Sequence, residues 1–416
     1  MTIEEPHCTR HRFADWLLYL GLISAAAGVC VSIPLMYVGL GLGLAGSALL
    51  GRAVLAFCAG WQWAVALAAW MCLTTWLSPF QIRFNTPGFA YCWLAVPVWA
   101  LAVSRCAHRR GVMLALLAGG GAALLLGIAQ FVIGFDQGHV PFRCAPEGRR
   151  FQVASGFYSH WIRFGDAMAI WSAWLMALAT RPWLVGVSAG VGAVGVIVSG
   201  ARGAVLALAV GMWGACSTTW RRSLFAAVAG LLLVVCAGGV LWQLSPGRVK
   251  NLFDGRDGRT YIWAAAWQVV LQHPLTGIGN GAYDQAATAV VDAGLAERNP
   301  RETPAMGNCH NSYLSLLVLY GVPGLVLWFG WLFAVVRGVL RRPLGQLQRH
   351  PAVVPVLLAT LGVMLVGGLT EDLAAYASSR FQLFFGLALA LGLAARLPAE
   401  DPLQGTTLRP DRWFMR

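Results

Sequence analysis

Charge is what this sequence has least of. Only 11% of its 416 residues are Asp, Glu, Lys or Arg, while 58% are hydrophobic and the mean hydropathy is +0.65. A soluble domain carries about a quarter charged residues. Too few remain here to cover a water-facing surface of this size. A soluble enzyme, a disordered chain and a secreted disulfide scaffold are therefore excluded. Lysine is almost missing: of thirty Lys+Arg residues, only Lys250 is a lysine. The ten cysteines form no CxxC pair and show no Cys/His zinc spacing, so no structural metal is expected. The net charge of +13 is scattered between apolar runs and forms no continuous basic stripe, which argues against a nucleic-acid partner. The N-terminal MTIEEPHCTRHRF lacks a short apolar core ending in a small-residue cleavage site, so the first span is expected to be an uncleaved signal anchor.

What is present is a series of long apolar runs, the mark of an all-α polytopic membrane protein. With about 20 residues as the length of a span, twelve helices are expected. They fall near 14–33, 34–51, 54–77, 86–104, 111–134, 158–180, 182–199, 202–219, 223–244, 311–337, 352–370 and 376–396. The seventh and eighth are separated at Ser199-Gly200-Ala201-Arg202-Gly203, because a charged residue between glycines is costly at mid-bilayer. The expected organisation is nine spans within 1–244, with an outer loop at 135–157. A large outer loop or cap follows at 245–310, then three spans within 311–396 and a tail at 397–416.

Arginine sets the orientation. With the N-terminus in the cytoplasm, the inner connections hold Arg52, then Arg105, Arg109 and Arg110, then Arg181, then Arg221 and Arg222, then Arg337, Arg341, Arg342 and Arg349. The tail adds Arg396, Arg409, Arg412 and Arg416. The short outer connections are nearly bare, with Arg83 alone in 78–85 and none near 34 or in 371–376. This is the positive-inside bias. It predicts both termini in the cytoplasm and both long loops outside it.

Those outer loops carry the informative residues. Arg259-Thr260-Tyr261-Ile262-Trp263 opens a helical pattern that ends at His273-Pro274. Ile262, Trp263, Ala266, Trp267, Val270 and Leu271 read as one apolar stripe, as on a helix lying at the membrane surface. The glycine-rich turn Pro274-Leu275-Thr276-Gly277-Ile278-Gly279 lacks the Lys and Ser/Thr of a nucleotide P-loop, so no ATP role is assigned. Asn308-Cys309-His310-Asn311-Ser312-Tyr313-Leu314 then leads into a long apolar helix. His310 is either an interfacial residue or a base. A helix N-terminus beside it can hold a phosphate and disfavours imidazolium.

Three stretches resemble one family. Ser199-Gly200-Ala201-Arg202-Gly203-Ala204 is similar to its arginine motif on an outer loop. Arg259 with Trp263 and the Pro-Leu-x-Gly-x-Gly turn is similar to its second motif. His310-Asn311-Ser312-Tyr313-Leu314, continuing to Gly321-Val322-Pro323-Gly324-Leu325, is similar to its third. Together they resemble the O-antigen ligase and polymerase superfamily over residues 199–325. Many relatives carry a carboxylate just before the glycine of the last motif, whereas this chain has Leu319-Tyr320-Gly321, so no acid there can be the base.

The resemblance implies a GT-C-like membrane glycosyltransferase with no cofactor and no metal. It would act at the periplasmic face of the bacterial inner membrane. The donor would be O-antigen on undecaprenyl pyrophosphate, and the acceptor lipid A-core oligosaccharide, without ATP. His310 would take the proton from the acceptor hydroxyl. Arg202 and Arg259 would bind the departing pyrophosphate, and direct displacement would invert the anomeric carbon. Weaker substrate-binding candidates are Arg163, Arg150, Asn311, Tyr313, Glu371 and Arg380. For Arg163 with Asp166, an ion pair between helices is the competing expectation; Glu371, Asp372 and Arg380 either orient the site or form a plain structural pair. Cys144 and Cys309 fall in the oxidising compartment, and a disulfide between them is expected, against the alternative of two separate thiols. A polymerase acting on the same lipid carrier and a non-enzymatic lipid-glycan transporter are the competing functions. A transporter would place ionisable groups at span centres, and these are almost free of charge.

Overall fold

A run of apolar residues in lipid can satisfy its backbone within its own segment only as a helix, and the described apolar runs follow that constraint. The computed structural model describes residues 6–80, 92–133, 143–144, 150–151, 153–158, 160–217, 220–244, 258–298, 308–341, 351–373 and 377–395. The helices are α1 (Pro6–Gly28), α2 (Ile33–Leu50, running on as a 3-10 segment to Phe57), α3 (Trp61–Trp76), α4 (Ala95–Arg105) and α5 (Arg109–Ile133). Then come α6 (Trp161–Leu178), α7 (Pro182–Ser199), α8 (Arg202–Ala215) and α9 (Trp220–Leu244). Helices α10 (Gly258–Gln272) and α11 (Tyr283–Asp292) lie within the expected cap. The last three are α12 (Ser312–Leu340), α13 (Val353–Thr370) and α14 (Ala377–Ala395). A two-residue antiparallel ribbon pairs Arg143 with Phe151 and Cys144 with Arg150.

Each of the twelve expected spans overlaps one of these helices, though not every helix reaches the length and hydropathy of a membrane span by itself. Among the described residues seven helices are long and apolar enough to cross a membrane: Ile33–Phe57, Arg109–Ile133, Pro182–Ser199, Arg222–Gly239, Ser312–Leu340, Val353–Thr370 and Ser378–Ala395. Ala95–Arg105 and Arg202–Ala215 are apolar but shorter. The break between α7 and α8 falls where the glycines predict it, with Gly200 closing α7 at φ 66° and Arg202 opening α8. Helix α14 is enclosed on almost all sides, and its Phe381 and Phe385 pack with Trp99 from α4.

The connections assigned by charge to the outer side meet at one end of the bundle. After α1, the Val29 carbonyl accepts from the Tyr158 hydroxyl at 2.8 Å and from Gln382 Nε2 at 2.9 Å. Ala154 N–H donates to Val198 at the end of α7 (2.9 Å). At the end of α3, Thr75 Oγ1 accepts from Asn280 N–H (3.2 Å) and Ser78 Oγ donates to the Ile278 carbonyl. At the other end Arg105 Nε pairs with Asp15 at 2.6 Å, both well exposed. The tail 397–416 lies outside the described residues.

The cap has a small core of its own. Ile262, Ala266, Val269 and Val270 of α10 pack with Tyr283, Ala286 and Val290 of α11, and Cys309 and Val318 close the cluster. The single stripe expected on α10 is therefore two neighbouring faces. Ile262, Ala266 and Val270 turn inward, while Trp267 and Leu271 are 51% and 57% exposed. Two adjacent faces merge into one pattern in sequence because they lie only about 100° apart.

The glycine-rich turn is clamped to a break in α12. Ile278 and Gly279 N–H donate to the carbonyls of Val318 and Leu319, both at 2.9 Å, and Val322 N–H donates to Pro274 O at 2.9 Å. Those α12 groups are available because Gly321 leaves the helix at φ 66°, ψ −173°, just before Pro323. A Cβ on Gly321 would lie 2.2 Å from Leu275 O, and one on Gly277 2.4 Å from Leu319 C. The turn is thus a backbone clasp joining the cap to α12.

Candidate active site

The sequence around His310 is built to hold one side chain in an uncommon backbone position. His310 has φ +48°, the one positive value outside glycine among the described residues. Its N–H donates to Asn308 Oδ1 at 3.0 Å. Asn311 caps α12 by accepting from Tyr313 and Leu314 N–H, both at 3.0 Å, and its Nδ2 donates to Leu369 O at 3.1 Å. Ser312 Oγ donates to the Glu371 carbonyl at 3.0 Å, and the Tyr313 hydroxyl to Leu365 O at 2.8 Å. Ser315 is bonded to Asp372. The side-chain polar groups of Asn311 and Tyr313 thus serve the backbone of α12 and α13 rather than an open binding surface. They position the histidine.

Glu371 is the centre of the arrangement. It sits where α13 ends, 3% exposed, and holds two partners. One carboxylate oxygen pairs with Arg259 near the start of α10. The other lies 3.0 Å from His310 Nδ1. A carboxylate only accepts, so Nδ1 donates, and in the neutral ring Nε2 then keeps its lone pair. Buried pairing of this kind fixes a ring's tautomer and orientation, as a carboxylate does in a nucleophile–histidine–acid triad. The side chains of His310 and Arg259 are 29% and 25% exposed, so both stay accessible.

Arg202 is delivered from α8 to the same place. The neighbouring Gly203 sits so close to Thr370 that a Cβ there would meet its Oγ1 at 2.0 Å, and Thr370 directly precedes Glu371. Helix α6 approaches from the side: a Cβ on Gly165 would lie 2.6 Å from Ser199 Oγ and 2.9 Å from the Ala201 methyl. Asp166, 3% exposed, is in electrostatic interaction with Glu371 and Arg259. Arg163, one turn before Asp166 on α6, interacts with His160, and His160 with His310. The starts of α6, α8, α10 and α12 thus converge. Helix N-termini carry partial positive charge, so four of them with three arginines favour an anion.

The remaining predicted residues fall elsewhere. Arg380 is buried at the start of α14 and interacts electrostatically with Tyr320 of α12, ten residues beyond His310. Arg150 lies in the short ribbon, and its side chain is outside the described residues. The Cys144–Cys309 disulfide is not formed. Cys309 is a free thiol, 1% exposed, turned into the cap core. It exchanges interactions with Tyr283 and Ser315, and burial followed by the Asp372 charge keeps it protonated. The Cys144 side chain is outside the described residues. His160, which the sequence reading passed over, is the functional candidate most easily missed: it is a loop residue whose neighbours come from distant parts of the chain.

Among known proteins, residues 187–329 match the O-antigen ligase family. That stretch runs from α7 into α12 and contains Arg202, Arg259 and His310, three of the four residues at the centre of the site. Glu371 lies beyond it. No curated protein matches the chain.

Proposed function

Because residues 187–329 match the O-antigen ligase family, we propose that this multi-pass membrane protein transfers O-antigen from undecaprenyl pyrophosphate to a hydroxyl of lipid A-core oligosaccharide. The reaction takes place at the periplasmic face of the bacterial inner membrane. All twelve apolar segments serve as spans of a GT-C-like fold with both termini in the cytoplasm. The meeting of the outer connections at one end of the bundle supports that arrangement.

The observation that carries the reading is the buried Glu371 shared by His310 and Arg259. His310 Nε2 takes the proton of the acceptor hydroxyl, whose oxygen forms the new bond to the anomeric carbon. The bond from that carbon to the phosphate oxygen breaks, and the electron pair leaves on undecaprenyl pyrophosphate. Arg259 keeps donors beyond the one used by Glu371, and Arg202 opens α8 next to Gly203, which packs on Thr370 directly before Glu371. Together with the helix starts they stabilise the departing negative charge, so the arginines do the work a divalent cation would otherwise do. Direct displacement inverts the anomeric carbon. Arg163 adds charge at the rim.

Purified protein incubated with lipid-linked O-antigen and lipid A-core tests this. Sugar appearing on lipid A-core is the expected result. Growth of the polymer on its carrier instead would overturn the ligase reading in favour of a polymerase.

A further inference from the structure

The stretch that leads to His160 is held from several sides. Gln130 Oε1 on α5 accepts from Ser155 and Gly156 N–H (3.0 and 2.8 Å), and its Nε2 donates to Gly156 O (3.2 Å). Ala154 is bonded to the end of α7. Tyr158 is bonded to Val29 and receives a hydrogen bond from Gln382 Nε2 at 2.9 Å. The His160 ring then stacks on Trp161, centroids 3.8 Å apart and planes at 28°. Its Nδ1 accepts the Ile162 N–H at 3.3 Å, capping α6.

A neutral ring whose Nδ1 accepts carries its proton on Nε2. That N–H has no protein partner among the described residues. Capping alone does not account for the residue: Ser, Thr, Asp and Asn are the preferred caps, and the cap uses one nitrogen only. The groups facing the ring are Arg163 on its own helix and His310 at the start of α12. Burial, followed by those two neighbours, pushes its pKa down to about 4. His160 is therefore neutral at physiological pH, a fixed donor beside the Arg163 cation.

We propose that His160 contacts the substrate, its Nε2–H donating to an oxygen of the pyrophosphate that leaves during transfer. This rests on the reading of the site given above. Donation to the attacking hydroxyl oxygen would oppose its attack, whereas donation where negative charge develops lowers the barrier. No proton is transferred by His160: the acceptor's proton goes to His310, and the electron pair of the broken bond stays on the phosphate oxygen.

The test uses the full chain in nanodiscs, with undecaprenyl pyrophosphate binding and glycan transfer measured separately. His160→Phe keeps a ring on Trp161 and removes the donor; His160→Gln restores an amide donor. His160→Phe is expected to weaken undecaprenyl pyrophosphate binding about tenfold and to lower kcat by on the order of 10²–10³, with the acceptor KM unchanged and part of the loss recovered in His160→Gln. Unchanged binding and turnover in His160→Phe would overturn the proposal, as would a wild-type protein that fails to bind undecaprenyl pyrophosphate. A wild-type protein that binds the pyrophosphate without transferring to lipid A-core refutes the ligase reading instead, and the binding arm still decides for or against His160. If His160→Phe does not fold, ¹⁵N-histidine spectra of the wild type serve. An Nε2–H tautomer at neutral pH whose signal moves on adding undecaprenyl pyrophosphate supports the contact. A signal that does not move overturns it.

Discussion

The two ends of this helical bundle use charge in opposite ways. At the end that carries most of the arginines, the Arg105–Asp15 pair stands in the open, with side chains 37% and 43% exposed. At the other end a single carboxylate, 3% exposed, is shared between an arginine and a histidine brought from 112 and 61 residues away. Exposed pairs are screened and contribute little. A buried carboxylate with two partners fixes both of them, and removing it leaves each misdirected. The contrast teaches that the exposed pair leaves its partners free to move, whereas the buried carboxylate fixes the groups to which the proposed chemistry is assigned.

The contrast is broken most severely by Glu371→Gln. This variant keeps the shape but removes the charge that orients Nδ1–H of His310 and holds Arg259. Transfer is expected to fall by on the order of 10²–10⁴, measured with purified protein, while the chain still inserts. A loss of less than fivefold would mean that Glu371 is only structural.

Gly321→Ala comes next. Its φ of 66° with ψ −173° belongs to a region essentially reserved for glycine, and a Cβ there would meet the Leu275 carbonyl. Forcing a side chain into it costs on the order of 1–3 kcal/mol and opens the clasp. A lower thermal midpoint together with faster hydrogen exchange at Ile278 and Gly279 is expected.

Gln130→Ala should cost about 1–3 kcal/mol, because it leaves the buried N–H groups of Ser155 and Gly156 unpaired. Chemical or thermal unfolding in detergent measures it. The smallest effect belongs to the opposite end: Asp15→Ala should change stability by less than about 1 kcal/mol and leave transfer unaltered. Activity lost in Asp15→Ala would erase the distinction between the ends.

Much of the fold was legible because lipid imposes a simple rule on sequence: an apolar run must be a helix. The break at Gly200, the start of α10 at Arg259 and the histidine before α12 all came from local pattern. Local pattern stops at contact. The glycine turn was readable as a turn, but its role as a clasp requires knowing that Gly321 faces it. Glu371 was readable as a candidate and not as the hub, because its two partners lie on other helices. His160 gave no signal of its own, since its fixed tautomer depends on the Ile162 N–H and its neighbour His310 is 150 residues away. The Cys144–Cys309 expectation failed for the same reason. Compartment says which thiols can oxidise, but only packing says which way Cys309 points.

The most direct measurement is single-turnover transfer from undecaprenyl-linked O-antigen to lipid A-core by purified His310→Ala beside the wild type, with undecaprenyl pyrophosphate binding measured in parallel. Binding within a few-fold of wild type and a rate reduced by on the order of 10²–10⁴ is the predicted result for a lost base. Near-normal transfer by His310→Ala would contradict the account and leave Glu371 holding a histidine that does no chemistry.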